Sequence, residues 1–233
     1  MNKHIQLALL GFALTAGPAA IAQEEGPAFS ANFALTSDYR FRGISQSDTG
    51  VALQGGFDLD LGNGFYAGTW GSSVDFGYAG TSMEQDWYMG YSGSVSETVS
   101  FDVGYLYYDY PGSDVKEDYQ ELYGSISVAD FSFGIAYSDD YFAETGKFTY
   151  YSLDYGTELA GVSLSAHVGY NSFDEVGFVQ DEDSYLDYSV ALSKEFNGVE
   201  VGLALVGTDV DDFGCYDTDW CEATGVLSFS KSL

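Results

Sequence analysis

The sequence predicts an all-β protein: a single antiparallel transmembrane β-barrel of about twelve strands, with short periplasmic turns and longer acidic extracellular loops. Three observations carry this. The first is alternation. In residues 29–43, Phe29, Ala31, Phe33, Leu35, Tyr39 and Phe41 fall on one parity, and Ser30, Asn32, Thr36, Asp38, Arg40 and Arg42 fall on the other. Successive side chains of a strand point to opposite faces, so one face is apolar and the other charged. The run is long enough to cross a bilayer at a tilt, for which about 9–11 residues suffice. The second observation is that the pattern recurs about a dozen times. The third is that no segment after the leader approaches 18 unbroken apolar residues. A chain that enters lipid without a spanning helix has to close its backbone hydrogen bonds in a barrel.

The leader comes first. Lys3, an apolar run over residues 5–16, the Gly17-Pro18 break and Ala20-Ile21-Ala22 have the order of a signal peptide with a small–x–small cleavage site. Residues 1–22 are read as the signal peptide and 23–233 as the barrel. The first strand is read over residues 29–43, followed by a loop at 44–50. The second places Val51, Leu53, Phe57, Leu59 and Leu61 against Gln54, Asp58 and Asp60, and ends at Asn63-Gly64, a dipeptide suited to the positive φ angles of a tight hairpin. The third is read from Phe65 to about Phe76, with Tyr66 and Trp70 on one face.

The fourth strand sets Met83, Trp87, Met89, Tyr91 and Val95 against Glu84, Asp86, Tyr88 and Ser92. The fifth sets Val99, Phe101, Val103, Tyr105 and Tyr107 against Ser100, Asp102, Gly104 and Tyr108. In the sixth, Leu122, Ile126 and Val128 oppose Tyr119, Glu121, Tyr123 and Ser125. The seventh shows Phe131, Phe133, Ile135 and Tyr137; the eighth, Tyr151, Leu153 and Tyr155. The ninth sets Val162, Leu164, Ala166, Val168 and Tyr170 against Ser163, Ser165, His167 and Asn171. The tenth, with Leu186, Tyr188, Val190 and Leu192, ends at Asn197-Gly198. The eleventh carries Val199, Val201, Leu203 and Leu205, and the last runs over residues 223–233. Links after even strands are short and links after odd strands are long and acidic, which is the pattern of outer-membrane barrels. Two aromatic belts are expected at the interfaces. Phe41, Trp87, Tyr107, Tyr137 and Tyr170 would form the outer one, and Tyr66, Phe101, Phe131, Tyr155 and Phe229 the inner one.

The chain carries 36 Asp and Glu against 7 Lys and Arg, a net charge of −29. That excludes nucleic acid, whose phosphates require a basic footprint. It suits a surface bridged to lipopolysaccharide by divalent cations. Cys215 and Cys221, an even pair in an exported chain, point to a disulfide. With one histidine after the leader, no zinc site is expected. The 209–214 stretch, Asp-Val-Asp-Asp-Phe-Gly, begins like a calcium loop. Phe213 stands where a ligand belongs, however, and no Glu closes the loop. It reads as solvated acid, like Asp181-Glu182-Asp183.

Residues 37–46, Ser-Asp-Tyr-Arg-Phe-Arg-Gly-Ile-Ser-Gln, with the glycine-rich strand after them, resemble the TorF-type porins, bacterial barrels without an assigned function. The loop holding Cys215 and Cys221-Glu222-Ala223 and the Ser230-Lys231-Ser232 ending are similar too. The resemblance implies an outer-membrane channel assembled by the barrel-assembly machinery, and supplies no functional residues. One departure is Leu233, where such barrels end in an aromatic.

The parity argument places Asp38, Arg40, Arg42, Asp58, Asp60, Glu84, Asp86, Asp102, Glu121, Asp154, His167, Asp187 and Glu200 on the lumen side. Two readings stand. In one, two arginines facing acids form a charged constriction that selects solutes. In the other, the same charges are a salt-bridged interior that conducts little. A serine–histidine site at Ser163, Ser165 and His167 fails on geometry, because residues two apart stack along one strand. The expected function is passive, cation-preferring diffusion of small solutes, without enzyme activity or cofactor. The alternative is a non-conducting barrel acting through its acidic loops.

Overall fold

The structure, a computed structural model, describes residues 27–77 and 80–233; the signal peptide read at 1–22 lies outside them. Twelve strands close into one antiparallel barrel. They are β1 (Ala28–Thr36), β2 (Ala52–Asp60), β3 (Phe65–Ser73), β4 (Met83–Ser96), β5 (Val99–Asp109) and β6 (Tyr119–Val128). The circuit continues with β7 (Phe131–Ser138), β8 (Phe148–Leu159), β9 (Val162–Phe173), β10 (Ser184–Phe196), β11 (Val199–Thr208) and β12 (Thr224–Ser232). Each strand pairs with its sequence neighbours, and β1 closes the ring on β12 with Leu35 opposite Phe229. Closure leaves no unpaired edge.

Connection lengths alternate as the sequence predicts. β4–β5, β6–β7, β8–β9 and β10–β11 are joined by two-residue turns, and β2–β3 by residues 61–64. At Asn197-Gly198 both φ angles are positive (53° and 78°), the geometry of a tight hairpin turn. Six longer connections lie at the opposite end.

The outward parity is apolar and exposed, including Phe57, Met89, Val103, Phe133, Val190 and Leu203. The inward parity is polar or aromatic, and its burial is graded. Toward the long-loop end Gln54, Glu84, Leu106, Glu121, Asn171 and Asp187 are buried. Toward the short-turn end Asn32, Asp58, Tyr66, Asp102, Tyr123 and His167 are only half-buried. The lumen is therefore packed at one end and open to solvent at the other.

Three expectations need correction. Strand one stops at Thr36, not Gly43. The chain bends at Ser37-Asp38 and turns inward, so Phe41 lies against Tyr108 inside the barrel (ring centroids 5.7 Å apart) rather than in an outer belt. Strand three stops at Ser73, and its phase is reversed. Trp70 is buried against Tyr39, and Tyr66 hydrogen-bonds Asp102 in the lumen, so neither faces lipid. Phe65, Ala67 and Thr69 take the outward face. Finally, Asp60 keeps the inward parity but, rather than lying within the lumen, stands exposed at the strand end, where it accepts a bond from the Gly62 amide (2.8 Å).

Tyrosines fill the lumen by lying over glycines of the neighbouring strand. Tyr66 covers Gly90 and Tyr123 covers Gly104, each directly across its ladder. A Cβ at Gly104 would occupy the space of the Tyr123 ring. Substituting Gly104→Val is therefore expected to cost about 1–3 kcal/mol by overpacking. The check is the temperature at which the folded, fast-migrating band is lost on a gel; an unchanged midpoint contradicts the packing described.

Candidate functional site

Residues 37–51 are an excursion from a hairpin. Thr36 and Ala52 are register partners, so β1 and β2 meet directly beneath the segment. Instead of forming an outer loop, the segment folds into the lumen. Arg40-Phe41 and Ile44-Ser45 make a two-residue ladder joined by Arg42-Gly43, with φ 47° and 84°. Positive φ is cheap for glycine and uncommon for arginine. Gly43 is required twice over, because a Cβ there would lie 2.9 Å from both the Gly207 carbonyl oxygen and Asp187 Cβ.

Asp38 organises the segment from within. One carboxylate oxygen accepts from Ser45 Oγ (2.6 Å) and Ser47 Oγ (3.2 Å), and the other accepts from Arg40 Nε (2.6 Å). Arg40 is 2% exposed. Its Nη1 donates to the carbonyls of Gly43 (3.1 Å), Trp220 (2.5 Å) and Glu222 (3.1 Å). The last two belong to the connection closed by the Cys215–Cys221 disulfide. Trp220 Nε1 returns a bond to Asp48 (2.9 Å).

Arg42 crosses to the opposite wall. Its two terminal nitrogens donate to the two oxygens of Glu121 at 2.7 and 2.9 Å. The guanidinium also lies 4.3 Å from the ring centre of Tyr150 and 4.7 Å from those of Phe41 and Phe148. Tyr141 Oη stands 3.4 Å away; burial pushes that phenol up to about 12, so it meets the arginine uncharged. Tyr185 donates to the Arg42 carbonyl (3.2 Å). Bidentate pairing and ring contact offset the cost of taking the charge out of water.

Three other lumen acids meet phenols. Glu84 accepts from Tyr39 (2.7 Å) and Tyr110 (2.9 Å). Asp102 accepts from Tyr66 (2.7 Å), and Asp58 from Tyr88. His167 lies between Asp154 (2.6 Å) and Asp187 (2.8 Å) and within 2.8 Å of Tyr150 Oη, while Asn171 donates to Asp187 (2.7 Å). Asp86 Oδ1 is buried without a hydrogen bond. Glu200 is half-buried on β11.

Of the sequence-selected residues, Asp38, Arg40, Arg42, Glu84, Asp86, Glu121 and Asp187 are buried at the packed end. Asp58, Asp102, Asp154 and His167 line the open end. Asp38, Arg40 and Arg42 stand on the inward segment, not on a strand face as expected. Sequence reasoning did not select the aromatic wall of Phe148, Tyr150, Tyr141 and Tyr185, although the inward parity of β8 points to the first two. In the 209–223 connection, Asp209 accepts from the amide of Leu186 on the neighbouring strand (2.7 Å), and Asp211 accepts from that of Gly214 (2.8 Å) and caps a local turn. Among the described residues no group of three or more His, Cys, Asp or Glu side chains converges to hold a metal.

A family model described as a bacterial protein of unknown function, Gcw_chp, matches residues 21–230. The chain belongs to the Gcw_chp family. No curated protein matches it. Among solved structures this Gcw_chp chain is similar to the KdgM porin, with 14% identity and a TM-score of 0.54 over 87% of this chain and 97% of that one. The KdgM porin in complex with disordered oligogalacturonate gives 12% identity and 0.54 over 87% and 96%. The NanC porin gives 9% identity and 0.54 over 87% and 98%. At such identities the likeness is one of fold.

Removing one partner of the buried pair leaves the other charge stranded. Glu121→Leu in the Gcw_chp barrel is expected to cost about 3–5 kcal/mol, and Arg42→Met with Glu121→Leu together much less. Thermal unfolding of the two single variants and the double variant checks this; additive losses contradict a direct pair.

Proposed function

We propose that this protein is an outer-membrane, porin-like channel for small solutes, not an enzyme, and that residues 37–51 close its lumen in the conformation described. The observation that carries the reading is the inward seat of that segment in a closed barrel whose outer face is apolar. The apolar exterior, the exported leader and the porin fold support placement in the outer membrane, with short turns and both termini periplasmic. Lipid and lipopolysaccharide, the latter through divalent cations at the acidic loops, and the barrel-assembly machinery are its proposed partners. The Ser37–Gln46 motif supports placing it among the TorF-type porins within its family.

The proposed selectivity is for cations and neutral solutes. Asp38 and Glu121 neutralise the two lumen arginines. At the half-buried end Asp58 and Asp102 make no ion pair among the described residues, while Asp154 faces His167. The half-buried end is then a cation-rich vestibule. A polyanion of the kind held by KdgM meets like charge here. A second reading rests on the inward placement of Tyr88, Tyr108, Tyr119 and Tyr123, which a permanently closed barrel would use to fill its lumen.

Replacing residues 37–51 by an Asn-Gly turn between Thr36 and Ala52 distinguishes the two. In planar bilayers under a salt gradient, the channel reading expects rare or small steps from the full chain. It expects larger, persistent, cation-selective steps from the turn variant. Silence from a folded turn variant supports the non-conducting barrel, and an anion-selective reversal potential overturns the charge argument.

A further inference from the structure

Arg42 fills a site that the barrel wall builds without it. Glu121 comes from β6, Phe148 and Tyr150 from β8, and Tyr141 from the β7–β8 connection. Together they present a carboxylate edge spaced for a fork of two N–H donors and ring faces within 4.3 to 6.0 Å of the guanidinium carbon. Those are the two features that recognise a planar organic cation. The occupant is supplied by a segment outside the ring of strands, on a turn where arginine holds an uncommon positive φ. Glu121 is further held by Tyr108 Oη (3.2 Å), so the cage has support of its own. Its floor, Tyr150, hydrogen-bonds His167, whose half-buried ring stands with Asp154 and Asp187 where the solvent-open vestibule begins. Carboxylates therefore line the approach from that side.

We infer that the cage of Glu121, Phe148, Tyr150 and Tyr141 is a binding site for free guanidinium-bearing cations, with Arg42 as a tethered stand-in. A solute of this class competes with Arg42 for the cage and so releases segment 37–51 from the β6–β8 wall. The inference rests on the reading of that segment as the element closing the lumen, and it names the solute class to which the closure responds. Lysine-like ammonium ions match the charge but not the fork, and bind less well.

The test uses the full mature chain with Arg42→Gly, which empties the cage and suits the positive φ, and methylguanidinium, the tip of an arginine side chain, as probe. Two readouts are taken: bilayer conductance and the thermal midpoint of the folded band. The inference expects the empty-cage variant to conduct. Methylguanidinium at about ten times its dissociation constant, in the millimolar range, should then raise the midpoint of that variant, and should raise the conductance of the chain that keeps Arg42 by releasing segment 37–51. Methylammonium at equal ionic strength should do both more weakly, and adding Glu121→Gln should abolish both effects. Conductance and midpoint both indifferent to methylguanidinium overturn the cage. If both this variant and the turn replacement are silent, the channel reading falls. The cage is then judged on the midpoint alone: a specific rise supports it and no rise overturns it. If Arg42→Gly does not fold, Arg42→Gln takes its place with the same outcomes.

Discussion

The contact on which the interior depends is the fork between Arg42 and Glu121. A guanidinium enters a barrel lumen only if something there replaces water, and here one carboxylate and several ring faces do so. Once that pair is made, the rest of segment 37–51 has little freedom. The turn must reverse within two residues, so Arg42 and Gly43 take positive φ. Gly43 must pass against the β11 backbone, so no side chain fits. Arg40 is left on the other side of the hairpin, where the carbonyls of the disulfide-closed connection receive it. Two arginines at alternate positions thus tie one short hairpin to opposite sides of the barrel.

This arrangement divides the lumen into unlike halves. At the long-loop end the segment, the aromatic wall and the inward carboxylates pack as a protein core does, with phenols satisfying acids that have no cation. At the short-turn end the same inward parity carries serines, tyrosines and acids that remain half-exposed. The wall alone does not set the bore. An inserted segment does, and such a segment can have a second position, whereas a strand locked in two ladders cannot. On the proposed reading, conductance, selectivity and response to ligand depend on how residues 37–51 sit.

The strand count, the alternation of short and long connections, the Asn-Gly turns and the cysteine pair were legible because each rests on local chemistry: period two, positive φ, and export. The end of strand one was not. The inner ladder of Arg40-Phe41 with Ile44-Ser45 alternates just as the strand before it does, so parity continues across the bend. Arg42-Gly43 also lacks the Asn or Asp that usually marks a two-residue turn. Strand three was read out of phase because its outward positions, such as Ala67, Thr69 and Gly71, are small and weakly apolar, while the large rings of Tyr66 and Trp70 point in. Lumen acids were found by parity, but their partners were not, since Glu121 meets Arg42 across 79 residues of sequence.

Amide hydrogen exchange of the refolded mature chain reports whether segment 37–51 is seated in the lumen. The amides of Tyr39, bonded to Ser47 Oγ, and of Gln46, bonded to the Tyr39 carbonyl, lie within the inward segment. A segment seated in the lumen predicts that peptides covering residues 37–47 exchange as slowly as those of β1 and β2. Exchange as fast as that of the exposed 174–183 connection would contradict the account, because residues 37–51 would then be a surface loop and the lumen would owe its closure to something else.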